Sequence, residues 1–119
     1  MAWYAASVIM FTRFKDGKQD SYPVYENIIL IEAMDENEAF EKSKCRGKAD
    51  EGDFEGTYCY ENRPAELVFF GVRKIIACED SDRQPADGTE VSYSEFLVSS
   101  NDALEKLIIG DSVEITYES

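Results

Sequence analysis

The sequence predicts an α+β fold in which antiparallel strands pair around two helices, in the order β-β-α-(β)-β-β-α-β. Runs of aromatic and β-branched residues separated by turn residues predict the strands. Two segments with helical apolar spacing and capping residues predict the helices. The chain has 119 residues, of which 44% are hydrophobic, enough for one core. We therefore predict a single domain over residues 1–119.

A hairpin is predicted at residues 3–33. Residues 3–14 are rich in aromatic and β-branched side chains, and the Asp-Gly pair at 16–17 suits a tight turn. The Tyr-Pro pair at 22–23 imposes an extended backbone, after which residues 24–33 form the second strand. The two strands are joined by a polar loop of about nine residues.

The second strand carries apolar side chains on both of its faces. Ile29 and Ile31 share one face, and Ile28 and Leu30 share the other. We therefore predict that both faces of the sheet are covered at this end.

The first helix is predicted at residues 36–48. Asp35 followed three residues later by Glu38 is the capping box in its Asp form, and Glu38 with Lys42 is a favourable i,i+4 pair. One stripe of this helix is mostly small, which indicates close packing on the sheet. The stripe consists of Ala39, Phe40, Ser43 and Gly47.

The rest of the chain predicts three more strands, one of them short, a second helix and a final strand. A long apolar run at 65–78, with a bulge or bend at Gly71, is the central strand. The second helix begins near 99–101 and ends at Gly110, a typical C-terminal glycine. The other predicted strands are 57–60, 89–98 and 113–117. Both helices are expected on one face of the sheet, in a ferredoxin-like manner.

Composition excludes several function classes. A net charge of −13 repels phosphate backbones and anionic lipids, so neither nucleic acid nor a membrane is an expected partner. The absence of His removes His-dependent triads, and no phosphate-binding glycine motif occurs. Three cysteines without CxxC spacing indicate reduced thiols in a cytoplasmic protein. The apolar start is interrupted at Arg13, short of a membrane span. We predict no catalytic residue, cofactor or metal.

Two groups of residues are candidates for an interaction surface. Three tyrosines lie in or near turns, where aromatic side chains that are not needed in a core mark partner surfaces. Four acids follow the central strand, and the same acids are the best candidate for a divalent-cation site, although their spacing departs from the calcium-loop pattern and favours a solvated acidic loop. These residues are Tyr22, Tyr25, Tyr58, Asp80, Asp82, Asp87 and Glu90.

Four segments together carry a family resemblance. They are WYAASVIMF at the start, YENIILIEA with the DENEAFEKS helix, FFGVRKI, and DGTEVSYSEF. With them the chain resembles a bacterial domain-of-unknown-function family whose members begin with a Trp-Tyr-Ala strand. The resemblance runs from Trp3 to about Tyr117 and implies the fold. It implies no catalytic residue, cofactor or substrate.

Three functions remain open at this point. The first is a non-enzymatic cytoplasmic interaction or accessory module, forming a homodimer through a sheet edge or face. The second is an acidic inhibitor of a basic protein, such as an immunity protein against a nuclease toxin. The third is a small-molecule-binding domain or small enzyme, with a pocket between sheet and helices lined by Arg73, Tyr93 and Glu95.

Overall fold

The computed structural model describes residues 1–118, and its elements follow the predicted order. A four-stranded antiparallel sheet has the order β2-β1-β4-β3, and β5 and β6 form a separate two-stranded sheet. The α+β class is therefore confirmed. The elements are β1 (Ala2–Phe14), β2 (Val24–Ala33), α1 (Glu36–Ala49), β3 (Cys59–Tyr60), β4 (Arg63–Ala77), β5 (Glu95–Leu97), α2 (Asn101–Ile109) and β6 (Thr116–Glu118).

The core lies between the four-stranded sheet and α1. Ala6, Val8 and Met10 of the central strand β1 are buried beneath the helix. Side chains from β2 and β4 complete this layer, namely Ile29, Leu67, Phe69, Val72 and Ile75. The helix contributes the small buried residues Ala39, Ser43 and Gly47, which allow its backbone to lie close to the sheet.

The capping signals of α1 are confirmed. The Asp35 carboxylate accepts a hydrogen bond from the Glu38 backbone N–H at 2.8 Å, and the Glu38 carboxylate accepts one from the Met34 N–H at 3.0 Å. The Glu38–Lys42 ion pair also forms, at 3.7 Å. Phe40, in contrast, is exposed, and the Lys44 ammonium lies 5.2 Å from its ring centroid.

Strand β4 departs from regular pairing at two positions. Its register against β1 skips Phe70 and Arg73, which have no partner in the ladder, while Gly71 pairs normally with Ile9. The predicted bulge at Gly71 is therefore two bulges that flank it. Each extra residue changes which side of the sheet the following residues face.

The C-terminal third differs most from prediction. Within the predicted strand 89–98 only Glu95–Leu97 pairs in a ladder, with β6. The Glu90 carbonyl instead accepts a hydrogen bond from the Glu79 N–H, on the segment after β4. The last strand begins at Thr116, later than predicted.

The prediction that both helices stack on one face of the main sheet is wrong. Only α1 packs broadly on the main sheet, against β1, β2 and β4. Helix α2 is capped as predicted by Ser100 and Gly110, yet Ala103 is its one buried residue. In sequence, α2 connects β5 to β6, and these two strands form a sheet of their own. This connection keeps α2 away from the face that α1 covers.

Candidate functional site

The face of the main sheet opposite α1 is covered only in part. Cross-strand partners share a face, so the pairing of β1 with β2 identifies the residues on this side. Val24 lies opposite Phe11, Ile28 opposite Ser7, and Leu30 opposite Ala5. On this side Ala5 and Ser7 of β1 are buried, whereas Ile28 and Leu30 of the edge strand β2 are 47% and 44% exposed. The prediction that both faces are covered at this end therefore holds for β1 and fails for β2.

Large apolar side chains gather on this face, and we call them the open-face patch. Phe11 lies between two of them, with its ring 5.5 Å from that of Tyr22 and 5.9 Å from that of Phe70, both in edge-on geometry. A shallow depression of about 370 Å³ runs among Ile9, Phe11, Tyr22, Val24 and Phe70. The exposed members of the patch are Tyr22 (61%), Val24 (56%), Ile28 (47%), Leu30 (44%) and Phe70 (77%).

Phe70 lies on the patch side because side chains alternate along a strand. Its neighbour Phe69 points into the core and lies against Gly47, while the unpaired Phe70 turns to the ring of Phe11 on the other side. The sequence reasoning missed Phe70, and the signal that could have found it is the Phe-Phe-Gly run inside a strand.

Two arginines on this side of the sheet pair with carboxylates of the chain. Arg13 binds the Glu66 carboxylate at 2.7 Å, and Arg73 binds the Glu26 carboxylate at 3.1 Å. The Arg13–Glu66 pair lies at one end of the patch. Glu26 is the ladder partner of Ile9, so the Arg73–Glu26 pair lies between Val24 and Ile28 and divides the patch.

A second concave feature lies between β4 and the β5–β6 sheet. It has a volume of about 350 Å³. Arg73, Tyr93 and Glu95, which the sequence reasoning placed in one pocket, all line it. The predicted walls were sheet and helices, whereas the actual walls are two sheets, because β5 and β6 pair apart from the main sheet. The other lining residues are Lys74, Ile75, Ile76, Ser94, Tyr117 and Glu118.

Both cations of this cavity are held in place. The Arg73 guanidinium lies 4.4 Å from the Tyr117 ring centroid, in cation–π geometry. The Lys74 ammonium donates to the Tyr93 carbonyl and lies 3.4 Å from the Ser94 hydroxyl. These contacts bind the β5–β6 sheet to β4.

The three candidate tyrosines do not form one surface. Tyr22 belongs to the open-face patch. Tyr25 and Tyr58 lie on the α1 side, where the Tyr58 hydroxyl is 2.9 Å from Thr12 Oγ1. Hydrogen bonding with Tyr58 raises the pKa of Tyr25 above its ordinary value. The sheet therefore separates Tyr22 from the other two.

The four candidate acids, Asp80, Asp82, Asp87 and Glu90, lie exposed on the segment after β4. The contacts of this segment use the backbone: the Asp80 carbonyl accepts from the Arg83 N–H, and the Ser81 carbonyl from the Trp3 N–H. Among residues 1–118 no three acidic or thiol side chains converge as a metal site would require.

The cysteines are unpaired in residues 1–118. Cys45 and Cys59 are exposed, whereas Cys78 is buried where β4 ends, and burial raises the pKa of its thiol. A thiol with a raised pKa stays protonated at neutral pH and is a poor nucleophile.

In the part of the chain that the structure covers, neither helix has the length and apolar character needed to cross a bilayer.

Comparison with known proteins identifies the family of this chain. Searches among curated proteins and among solved structures returned no match. The family model described as Domain of unknown function (DUF4288) matches residues 3–93, from β1 to the segment before β5. The match ends before the predicted extent at Tyr117, so β5, α2 and β6 lie outside it. Because the match spans well over half of the 119 residues, the chain belongs to the DUF4288 family, a family of domains of unknown function.

Proposed function

We propose that this protein is a non-enzymatic interaction module of the bacterial cytoplasm that acts as a homodimer joined through the open-face patch. The single observation that carries the proposal is the collection of five exposed large apolar side chains on one side of the sheet. Their exposed parts amount to roughly 500 Å², at the upper end of the patches that monomeric proteins tolerate.

The size of the patch suits a second copy. A stable interface buries about 800 Å² on each partner, with an apolar centre and a polar rim. The patch supplies that centre, and the Arg13–Glu66 ion pair beside it supplies part of a rim. Two such sheet faces can pack about 10 Å apart around a twofold axis, where the same patch contacts itself.

The charge of the patch also favours a second copy over a basic partner. A basic partner is attracted by unpaired carboxylates, but the carboxylates next to the patch are already paired with arginines. A contact between two identical copies requires only that each positive charge at the interface is paired with a negative charge of the same copy. The open-face patch meets this condition.

Phe70 is the residue whose replacement tests the proposal. We expect the wild-type chain to sediment at twice its 13.5 kDa mass at micromolar concentration. Phe70→Glu should weaken dimerisation by about tenfold or more, because it places a charge in the apolar centre. Since Phe70 is 77% exposed, this change leaves the core intact, which circular dichroism checks.

Ile108→Glu is the matched control, because Ile108 is 83% exposed on α2 and lies outside the patch. It should leave the dimer unchanged. A monomer at all concentrations, or a dimer that persists in Phe70→Glu and dissociates in Ile108→Glu, contradicts the proposed interface. Capture of a basic protein in place of self-association would favour the inhibitor function.

A further inference from the structure

We infer that the cavity between β4 and the β5–β6 sheet binds a small zwitterion of the amino-acid class, with its amine at Glu95 and Glu118 and its carboxylate at Lys74. No exposed apolar member of the open-face patch lines this cavity, although Arg73 touches both regions, and a ligand titration tests the cavity separately from dimerisation. The volume of about 350 Å³ falls within the range of small-molecule sites, roughly 300–1,000 Å³.

The anionic half of the cavity consists of two opposed carboxylates. Glu95 and Glu118 are direct partners in the antiparallel β5–β6 pair, and both line the cavity. Like charges in directly opposite positions destabilise a strand pair. Among residues 1–118 neither carboxylate has a Lys or Arg within ion-pair distance. A protonated amine bound between them would relieve this repulsion.

The cationic half is the Lys74 ammonium. Its hydrogen-bond acceptors are uncharged oxygen atoms, the Tyr93 carbonyl and the Ser94 hydroxyl. An ammonium has three N–H donors, so one remains for a ligand. The Arg73 guanidinium, in contrast, is already engaged with Glu26 and with the Tyr117 ring. Lys74 is therefore the group that would bind a ligand carboxylate.

The combination of charges selects the ligand class. A simple anion would meet the carboxylates of Glu95 and Glu118, and a simple amine would meet the Lys74 ammonium. A small molecule that carries both charges satisfies both halves of the cavity. Ile76 and Tyr93 provide an apolar wall for the rest of such a molecule. An α-amino acid is the simplest compound with these features.

The probes are the standard L-amino acids, each added singly at millimolar concentration to the full-length protein. We expect at least one of them to raise the melting temperature and to give a saturable isotherm in titration calorimetry. The analogues of that amino acid that lack either the amine or the carboxylate should bind at least about tenfold more weakly. If no amino acid binds, or if an analogue with one charge binds equally well, the inference is wrong.

Variants locate the site. The double change Glu95→Gln with Glu118→Gln, and separately Lys74→Met, should each weaken binding by about tenfold or more. Glu114→Gln is the matched control. Glu114 is an exposed carboxylate between α2 and β6, and it does not line the cavity. It should bind as the wild type does. Unchanged binding in both cavity variants overturns the assignment.

A second readout separates ligand binding from folding. Without any ligand, the Glu95→Gln, Glu118→Gln chain should melt at a higher temperature than the wild type, because the opposed charges are gone. A lower melting temperature would show that these carboxylates stabilise the fold, and it would contradict the inference.

Discussion

Gly47 is the residue on which the contact between helix and sheet depends most closely. It is buried on α1, and a Cβ built there would overlap the Phe69 ring, with Cε1 only 2.5 Å away and Cγ 3.1 Å away. Glycine is a poor helix former, so its place inside the last turn of α1 needs a packing reason. Close approach to Phe69 is that reason.

Gly47→Ala tests this contact. Alanine is the better helix former by about 1 kcal/mol, yet we expect the change to lower the free energy of unfolding by about 1–3 kcal/mol, because Phe69 must move within the core. Urea denaturation measures the difference. Cys45→Ala on the exposed side of the same helix should leave stability within about 0.5 kcal/mol of the wild type. A more stable Gly47→Ala chain contradicts the packing argument.

At the scale of elements, the β1–β2 loop is bound to β4 and to the segment after α1. The Asp16 carboxylate accepts hydrogen bonds from the Lys18 backbone N–H and from the Arg63 guanidinium, each at 2.9 Å. Lys15 pairs with Asp53 at 2.5 Å. These contacts lower the pKa of Asp16 and of Asp53 below the ordinary value of 3.8.

The pH dependence follows from the direction of these shifts. A carboxyl whose pKa is lower in the folded chain adds stability above pH 3.8, and this stability is lost as the pH falls through the lowered value. Carbon-detected NMR titration should therefore place Asp16 and Asp53 below 3.8. Arg63→Gln should raise the pKa of Asp16 only in part, because the Lys18 N–H is the larger cause. A titration of Asp16 at or above 3.8 in the wild type would contradict this account.

For the whole molecule, net charge and the open-face patch act in opposite directions. A charge of −13 makes two copies repel each other over distances comparable with the Debye length, about 10 Å at 0.1 M salt. The apolar patch attracts at contact, and its effect changes little with moderate salt. Dimerisation is then the balance between long-range repulsion and local burial.

Salt should therefore strengthen the dimer. Between about 0.05 M and about 0.5 M NaCl we expect the dissociation constant to fall several-fold, because screening weakens the repulsion between the two acidic copies. Sedimentation equilibrium at both salt concentrations measures the change. A dimer that weakens as salt rises would mean that opposite charges hold it together, contrary to the neutral patch that we describe.

Local signals were the most predictable part of the fold. The Asp35–Glu38 cap, the Ser100 cap and the Gly110 terminus all form as predicted, since each acts over four residues or fewer. Strand 89–98 was mispredicted because its alternation showed no apolar face, and its register depended on a partner that lies elsewhere in the chain.

The candidate sites were less predictable than the elements. Tyr22 was proposed as a surface residue and lies in the patch, while Ile28 and Leu30 were expected to be covered and Phe70 was not singled out. Their apolar character alone does not show whether a second layer covers them. Arg73, Tyr93 and Glu95 were proposed together and do line one cavity, but its second wall comes from strands that local pattern placed in a single sheet.

By itself, the sequence determined the class, the order of the elements and where each helix begins and ends, because backbone sterics and capping act among near neighbours. Only the tertiary structure decided which face of the sheet stays open and where the two charged halves of the cavity meet. Those features depend on one helix covering one face, on two bulges in β4 and on a separate β5–β6 pair. Each of these features depends on contacts between residues that are far apart in the sequence, so local sequence patterns do not predict it.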